Sequence, residues 1–246
     1  MTDLGGDLLR QGAGMEYKLG APGPAQSEYL YHFTDRLGDR PDWVPEEIRS
    51  MKGADRLEAI LWEEQFRAFP PFGTADPGAS GKRCVCFSEC SPEQMAFLVQ
   101  GWRFRPWGLV TTREVVNGLG GGAVAYVPPE VQMRFRKYRL GHWAVSTESE
   151  NSWMHEREWR LPVSSPAESV TLPAVTAILV ADAGWRPRRR AVAWTDGESG
   201  DPLAGSGGNP FAVPFEDYPR LWRETPVWVW DQEAERVVQY EPGALC

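Results

Sequence analysis

The chain has 246 residues and a formal net charge of -8 at neutral pH. This length can bury a substantial core, and it predicts one domain with appendages rather than two equal domains. The acidic balance gives no global attraction to nucleic acid or to an anionic membrane surface. No apolar run approaches the roughly 20 residues that span a bilayer, and the first twenty residues lack the pattern of a secretory signal. We therefore expect a cytoplasmic protein that does not bind membranes.

The first part of the chain separates into a tail and the start of a folded domain. Residues 1–26 are rich in Gly, Pro and polar side chains, which predicts a flexible N-terminal segment. Residues 27–246 are predicted to form a single domain with a variable C-terminal extension. Residues 28–34, EYLYHFT, predict its first strand, and residues 55–67 predict an amphipathic helix because their apolar side chains recur at helical spacing.

The middle and end of the chain predict short strands more often than helices. Ser91 and Pro92 are typical of a helix start, and they predict a short helix over 91–100. Strands are predicted at 82–89, 105–112, 122–129, 152–162, 175–181, 226–231 and 236–242, with a polar Gly/Pro-rich loop at 195–213. The glycines at 118–122 are turn residues, since GLGGG lacks the spacing of a dinucleotide-binding fingerprint. The pattern predicts an α+β fold built on a mixed sheet.

The stretch SWMHEREWRLP, residues 152–162, carries two glutamates in an otherwise strand-like sequence. If it is extended, Glu156, Glu158 and Arg160 lie on one face. A helix would instead place Glu156 and Arg160 one turn apart as a surface ion pair, but the tryptophans and Pro162 favour the strand. Two carboxylates on one face repel each other unless a cation or ligand offsets them. The pair is therefore a candidate site, and an edge strand with solvated charges is the alternative.

Three cysteines cluster as CVCFSEC, at Cys84, Cys86 and Cys90. This spacing differs from that of common zinc sites, which bring a fourth ligand. On a strand, Cys84 and Cys86 share a face with Ser88, as small packed thiols do. We expect no metal site, and the sequence leaves open whether the thiols do more than pack.

Two short runs are basic despite the acidic whole. Residues 134–139, RFRKYR, and residues 185–190, WRPRRR, could each contact phosphate or form a solvated face. In the first run, aromatic side chains alternate with cations, a combination that suits a nucleic-acid groove. Its cations are Arg134, Arg136, Lys137 and Arg139.

Several short motifs follow one another in a recognisable order: YHFT, CFSE, WGLV, GAVAY and HEREWR. Together they resemble ADP-ribosyltransferases over roughly residues 29–182. More narrowly, they resemble abortive-infection proteins of the AbiGi type and, at greater distance, the DNA-targeting DarT toxins. The resemblance implies a mixed or antiparallel split β-sheet core with a few flanking helices.

The resemblance also implies roles for particular residues. His32 would hold the ribose of NAD, and Thr34, on the same strand face, would add a hydroxyl to that contact. Phe87 and Ser88 would approach the nicotinamide ribose, and Glu158 would be the catalytic glutamate.

Three further details follow from the same resemblance. Glu156 precedes Glu158 in a Glu-x-Glu arrangement that, in arginine-modifying members, positions or activates the acceptor. The histidine on the first strand is typical of the H-Y-E class, whereas Glu-x-Glu is typical of the R-S-E class. Trp107 or Phe87 would serve as the stacking aromatic residue.

The implied function is transfer of ADP-ribose from NAD to a protein or nucleic-acid acceptor, without a metal, by a toxin or phage-defence effector. Cleavage of the nicotinamide–ribose bond develops an oxocarbenium-like cation, and a nearby carboxylate stabilises it. Two alternatives stay open: an NAD glycohydrolase on the same fold, and a non-enzymatic, antitoxin-like interaction module.

Overall fold

The computed structural model describes residues 26–37, 44–70, 81–100, 104–147, 153–163, 169–171, 174–205 and 209–246. Apart from residue 26, the predicted flexible N-terminal segment lies outside the described residues. No helix in the described ranges is long and apolar enough to cross a membrane.

The helices are α1 (Glu46–Arg49), α2 (Gly53–Glu63), α3 (Met95–Gln100), α4 (Arg113–Gly118), α5 (Pro129–Lys137) and α6 (Arg220–Glu224). The strands are β1 (Tyr29–Arg36), β2 (Gln65–Arg67), β3 (Cys84–Glu89), β4 (Phe104–Thr112), β5 (Gly122–Ala123), β6 (Ala125–Val127), β7 (Ala144–Ser146), β8 (Glu158–Pro162), β9 (Ser169–Thr171), β10 (Ala177–Val180), β11 (Arg190–Asp196), β12 (Pro202–Leu203), β13 (Ala212–Asp217), β14 (Val227–Asp231) and β15 (Arg236–Tyr240). Short 3-10 turns cover Pro92–Gln94, Gly141–Trp143 and Trp153–Glu156.

A large mixed sheet organises the described part of the chain. Its strands are ordered β15-β14-β10-β4-β1-β3-β8-β5. The pair β10–β14 is parallel, and the other neighbouring strands of this sheet are antiparallel. The predicted α+β class with a mixed sheet and a few helices is confirmed at this level. All four residues of β10 are buried, as a continuous apolar run in the interior of a sheet requires.

Apolar side chains cover both faces of this sheet. On one, which we call the α2 face, Leu30, Leu109 and Ile178 pack in one cluster with Leu57 and Leu61 of α2. The other, which we call the α3 face, carries a second cluster, formed by Tyr31, Val110, Ala177 and Leu179 with Met95 and Leu98 of α3. Successive residues of a strand alternate between the faces, so the face of each site residue follows from the register.

The sheet is split between β1 and β3. These strands pair at Leu30↔Glu89 and Tyr31↔Ser88, whereas β1 continues to Arg36 and β3 begins at Cys84. On its other side β1 pairs with β4 along its whole length, with an irregularity between Phe33 and Asp35. Beyond these two pairs, β1 and β3 therefore diverge in the middle of the sheet.

Some predicted boundaries were wrong. The helix predicted over 55–67 ends at Glu63, because Glu64 adopts a left-handed conformation with φ of 51° and residues 65–67 pair as β2 with β9. The predicted loop at 195–213 contains β12 and the start of β13, which pair with β11 in a separate three-stranded sheet. Ser91 caps its helix as predicted, since its side chain accepts a hydrogen bond from the Gln94 amide.

We predict that Thr34→Val destabilises the fold by about 1–3 kcal/mol, because a buried donor is lost while its acceptors stay buried. The Thr34 hydroxyl lies 2.8 Å from the Gly53 carbonyl oxygen and 3.1 Å from the Trp107 carbonyl oxygen, so it ties β1 to α2 and β4. Urea denaturation at neutral pH measures the change. A variant as stable as the wild type would show that this hydroxyl does not hold β1.

Candidate functional site

Glu158 and Ser88 lie side by side on the α3 face. Ser88 is opposite Tyr31 in the β1–β3 register and opposite Glu158 in the β3–β8 register. Directly opposed residues share a face, so all three point the same way as the cluster that contains Tyr31. Ser88 and Glu158 are therefore neighbours on adjacent strands.

The carboxylate of Glu158 is held by a buried arginine. Arg160 Nε lies 2.8 Å from Glu158 Oε1 and Arg160 Nη2 lies 2.9 Å from Oε2, a two-bond fork. The Arg160 side chain is 1% exposed and that of Glu158 is 14% exposed. The guanidinium also donates to the His142 carbonyl oxygen at 2.9 Å. The two-bond fork therefore fixes the Glu158 carboxylate at a position where it is partly exposed.

Two further groups contact Glu158. The Tyr126 hydroxyl accepts a hydrogen bond from the Glu158 amide at 2.8 Å. Burial raises the pKa of Tyr126, and the charges of both Glu158 and Glu156 raise it further, so the phenol keeps its proton. Burial also raises the pKa of Cys86, and a hydrogen bond to Glu158 adds to the effect. Glu158 thus has the Tyr126 phenol at its backbone amide and Ser88 opposite it on β3, side chains of types that hydrogen-bond to polyhydroxylated ligands.

Glu156 is not part of the strand, and this corrects the prediction that 152–162 is extended throughout. Residues 153–156 form a 3-10 turn, Arg157 has φ of 46°, and β8 begins at Glu158. Glu156 Oε1 instead accepts from Arg36 Nη2 at 3.0 Å, and the Arg36 guanidinium lies 5.5 Å from the ring centroid of Phe104. The charges of both glutamates nevertheless raise the pKa of Tyr126.

The other predicted NAD ligands lie on the opposite face. His32 packs against Phe66 and Phe87, with ring centroids 4.5 and 5.8 Å away, within the α2-face region. Its Nδ1 lies 2.9 Å from the Cys86 carbonyl oxygen and therefore donates to it, which bridges the split between β1 and β3. The face assignments separate His32 from Glu158. A ribose contact by His32 stays a prediction that this arrangement does not favour.

Thr34 and Trp107 follow His32 to the α2 face. Thr34 bonds α2 through Gly53, and Trp107 packs against the α2-face cluster with its ring centroid 5.2 Å from that of Trp185. Phe87 is buried in the same cluster. The structure therefore places Ser88 and Glu158 on the α3 face and Glu156 on the turn before β8, whereas His32, Thr34, Phe87 and Trp107 lie on the α2 face.

The clustered cysteines are free thiols that favour their protonated form. Burial raises the pKa values of Cys84 and Cys90 to about 12 each, and Cys86 is raised as well. Thiols bind metals and act as nucleophiles as thiolates. Among the described residues, no group of three or more His, Cys, Asp or Glu side chains is arranged to hold a metal ion.

The two basic runs differ in their surroundings. The cations of 185–190 are engaged: Arg188 bonds Glu58 at 2.8 Å, and Arg186, Arg189 and Arg190 lie over the rings of Trp222, Tyr218 and Trp62. By contrast, Arg134, Lys137 and Arg139 are exposed on and just after α5, beside Tyr138, which is 70% exposed. Arg136, the fourth predicted cation, is half-buried.

No protein-family model, curated protein or solved structure matches the chain. The chemistry therefore has to be derived from the side chains themselves. Sequence reasoning missed Tyr126, which bonds the Glu158 amide, and Arg36, which bonds the Glu156 carboxylate, because each comes from a distant part of the chain. The ion pair between Glu158 and Arg160 was foreseeable, since residues i and i+2 of a strand share a face.

His142 provides a pH test of the packing behind Arg160. Burial, followed by the charges of Lys82 and Arg160, lowers the pKa of His142 from 6.5 to about 4. The unfolded chain then binds more protons between these values, so this group's stabilising contribution is complete above about pH 6.5 and is lost as the pH falls to about 4. The shift corresponds to at most about 3 kcal/mol.

We predict that the free energy of unfolding of His142→Gln falls less steeply than that of the wild type over this pH range. Denaturant titrations of both proteins from about pH 7 to about pH 4 measure the difference, which removes the contribution of groups common to both. Parallel curves would mean that His142 titrates normally in the folded state.

The α5 run supplies a test of nucleic-acid binding. If Arg134, Lys137 and Arg139 contact phosphate, their replacement by Ala lowers the slope of log K against log salt for a single-stranded oligonucleotide by about 0.7 per lost contact. Replacing Arg186 and Arg189 by Ala is the matched control, because those side chains are stacked on aromatic rings. An unchanged slope in the α5 variant would reject this surface as a nucleic-acid groove.

Proposed function

We propose that the protein is an NAD-dependent ADP-ribosyltransferase in which Glu158 faces the ribose of NAD. The observation that carries the proposal is the partly exposed Glu158 carboxylate, which is held by the buried Arg160 and lies next to Ser88 and Tyr126. The fold is then of ADP-ribosyltransferase type, and the split between β1 and β3 is the feature of the sheet that supports this assignment.

The proposed role of Glu158 is electrostatic. Departure of nicotinamide breaks the bond to the ribose, and the electron pair of that bond leaves with the neutral base. The ribose becomes cationic, and a carboxylate fixed close to its hydroxyl groups stabilises that charge without reorganising. The fork to Arg160 uses one lone pair of each Glu158 oxygen, and the Cys86 thiol bonds to the same carboxylate. One carboxylate oxygen therefore retains acceptor capacity for a sugar hydroxyl.

In the same proposal, Glu156 receives the proton of the incoming nucleophile. The nucleophile bonds to the ribose carbon that nicotinamide has left, and its proton passes to the Glu156 carboxylate. This requires Glu156 to leave Arg36, to which it is bonded at 3.0 Å. Transfer to a protein or nucleic-acid acceptor and hydrolysis by water differ only in the nucleophile, so the glycohydrolase is a variant of the same site.

A binding module without enzymatic activity is the second candidate, and one observation favours it. Both carboxylates already have arginine partners without any ligand, Glu158 with Arg160 and Glu156 with Arg36. Ion pairs complete in this way also occur in purely structural networks. Such a module would neither bind nor cleave NAD.

We predict that Glu158→Gln lowers the rate of nicotinamide release from NAD by about 100-fold or more while NAD binding changes little. The amide keeps the shape of the side chain but removes the charge that stabilises the cation. Release is followed by chromatography with and without cell lysate. A requirement for lysate indicates a macromolecular acceptor, and release without lysate indicates the glycohydrolase.

Glu58→Gln is the matched control. Glu58 lies on α2, away from β8, and its buried carboxylate is bonded to Arg188. Its replacement therefore removes a buried charge without touching the site. Full activity of the Glu158→Gln protein would reject the assignment. Absence of both NAD binding and nicotinamide release in the wild type would favour the binding module.

A further inference from the structure

The side chain of Glu89, the last residue of β3, accepts more hydrogen bonds than its place in the strand requires. The residue is 4% exposed, and its carboxylate accepts three hydrogen bonds: from the Ser27 amide at 2.9 Å, from Arg157 Nη2 at 2.9 Å and from Trp159 Nε1 at 2.8 Å. Its own amide donates to the Arg157 carbonyl oxygen at 3.3 Å. Three of these four bonds go to the two neighbours of Glu158 in sequence.

The geometry of these bonds fixes the direction of Glu158. Trp159 is buried in the α2-face cluster, whereas Glu158 points to the α3 face because successive strand residues alternate. Glu89 is opposite Leu30 and therefore lies on the α2 face as well. Glu89 therefore bonds the residues before and after Glu158 from the sheet face opposite to the Glu158 carboxylate.

Arg157 needs this support. Its φ of 46° lies in the left-handed region, which is unfavourable for a side chain with a Cβ. Such a conformation persists only where the surroundings hold it. The turn at Arg157 separates Glu156, on the 3-10 turn, from Glu158 at the first position of β8. Its conformation therefore sets how the two carboxylates stand relative to each other.

We propose that Glu89 is a positioning residue that holds the Arg157 turn and thereby aims Glu158 at its ligand; this rests on the proposed function of Glu158. Glu89 itself does not touch the ligand, because it lies on the other face of the sheet. Its replacement therefore affects the catalytic step through the placement of Glu158 rather than through NAD affinity.

The test compares Glu89→Gln with Glu58→Gln, since both residues are 4% exposed and both carboxylates accept a hydrogen bond from arginine. All of the donors to the Glu89 carboxylate are N–H groups. In Glu89→Gln the side-chain amide nitrogen replaces one carboxylate oxygen and faces such a donor, so a hydrogen bond is lost. Hydrogen exchange measured by mass spectrometry should then rise at two backbone amides. These are the Glu158 amide, which donates to Tyr126 Oη, and the Val124 amide, which donates to the Glu158 carbonyl oxygen. In Glu58→Gln it should rise near Arg188 instead.

The kinetic arm uses nicotinamide release. Glu89→Gln should lower kcat by about tenfold or more with little change in KM, as a misplaced reacting group does, while Glu58→Gln keeps the wild-type kcat. If the wild type releases no nicotinamide, the proposed function fails, and the exchange data alone then decide whether Glu89 holds Glu158. Wild-type exchange at Glu158 and Val124 in Glu89→Gln would overturn the positioning role.

A milder variant covers the case in which Glu89→Gln does not fold. Trp159→Phe removes one donor to Glu89 and keeps an aromatic ring in the α2-face cluster. It should raise exchange at the same two amides, by less. Unchanged exchange there would also overturn the proposal.

Discussion

The candidate site depends on a guanidinium that is almost completely removed from water. Arg160 is 1% exposed, and burying an ion of this kind costs several kcal/mol unless its donors are satisfied. Glu158 supplies two acceptors and the His142 carbonyl oxygen supplies a third. The bond to His142 joins β8 to the turn that follows α5. The same guanidinium therefore holds the charged side chain of the site and packs this end of the sheet.

The two faces of the sheet divide the chemistry. On the α2 face, Glu89 and His32 make hydrogen bonds that hold strands and turns together: Glu89 with Arg157 and Trp159, and His32 with the Cys86 carbonyl oxygen. On the α3 face, Glu158 lies opposite Ser88, which forms the last pair between β3 and β1 before the two strands part. Structural polar groups thus support, from behind, the side chains proposed to meet the ligand.

The local patterns that could be predicted from sequence are those with a period. The alternation in β8 placed Glu158 and Arg160 on one face, and the buried run of β10 was recognisable as a central strand. The Arg157 turn could not be predicted, because a positive φ at arginine has no sequence signature. Which face His32 occupies also depends on the register with β3 and β4, and that register is set by distant residues.

Composition alone also could not separate the two basic runs. Both contain arginines beside aromatic residues, yet the rings and the carboxylate that engage 185–190 come from α2 and from residues near α6. Likewise, the Gly/Pro-rich residues before β13 were predicted as a loop because their composition does not indicate the pairing of β12 with β11. Contacts with other elements, rather than local propensity, decided these cases.

The most direct test of the central claim is a crystal structure of the Glu158→Gln variant with NAD. The account predicts the nicotinamide ribose on the α3 face, with a hydroxyl about 3 Å from the side chain at position 158 and close to Ser88 and Tyr126. NAD bound instead on the α2 face, over His32 and Phe66, would contradict it, because the buried Arg160 and its carboxylate would then serve the fold and not the chemistry.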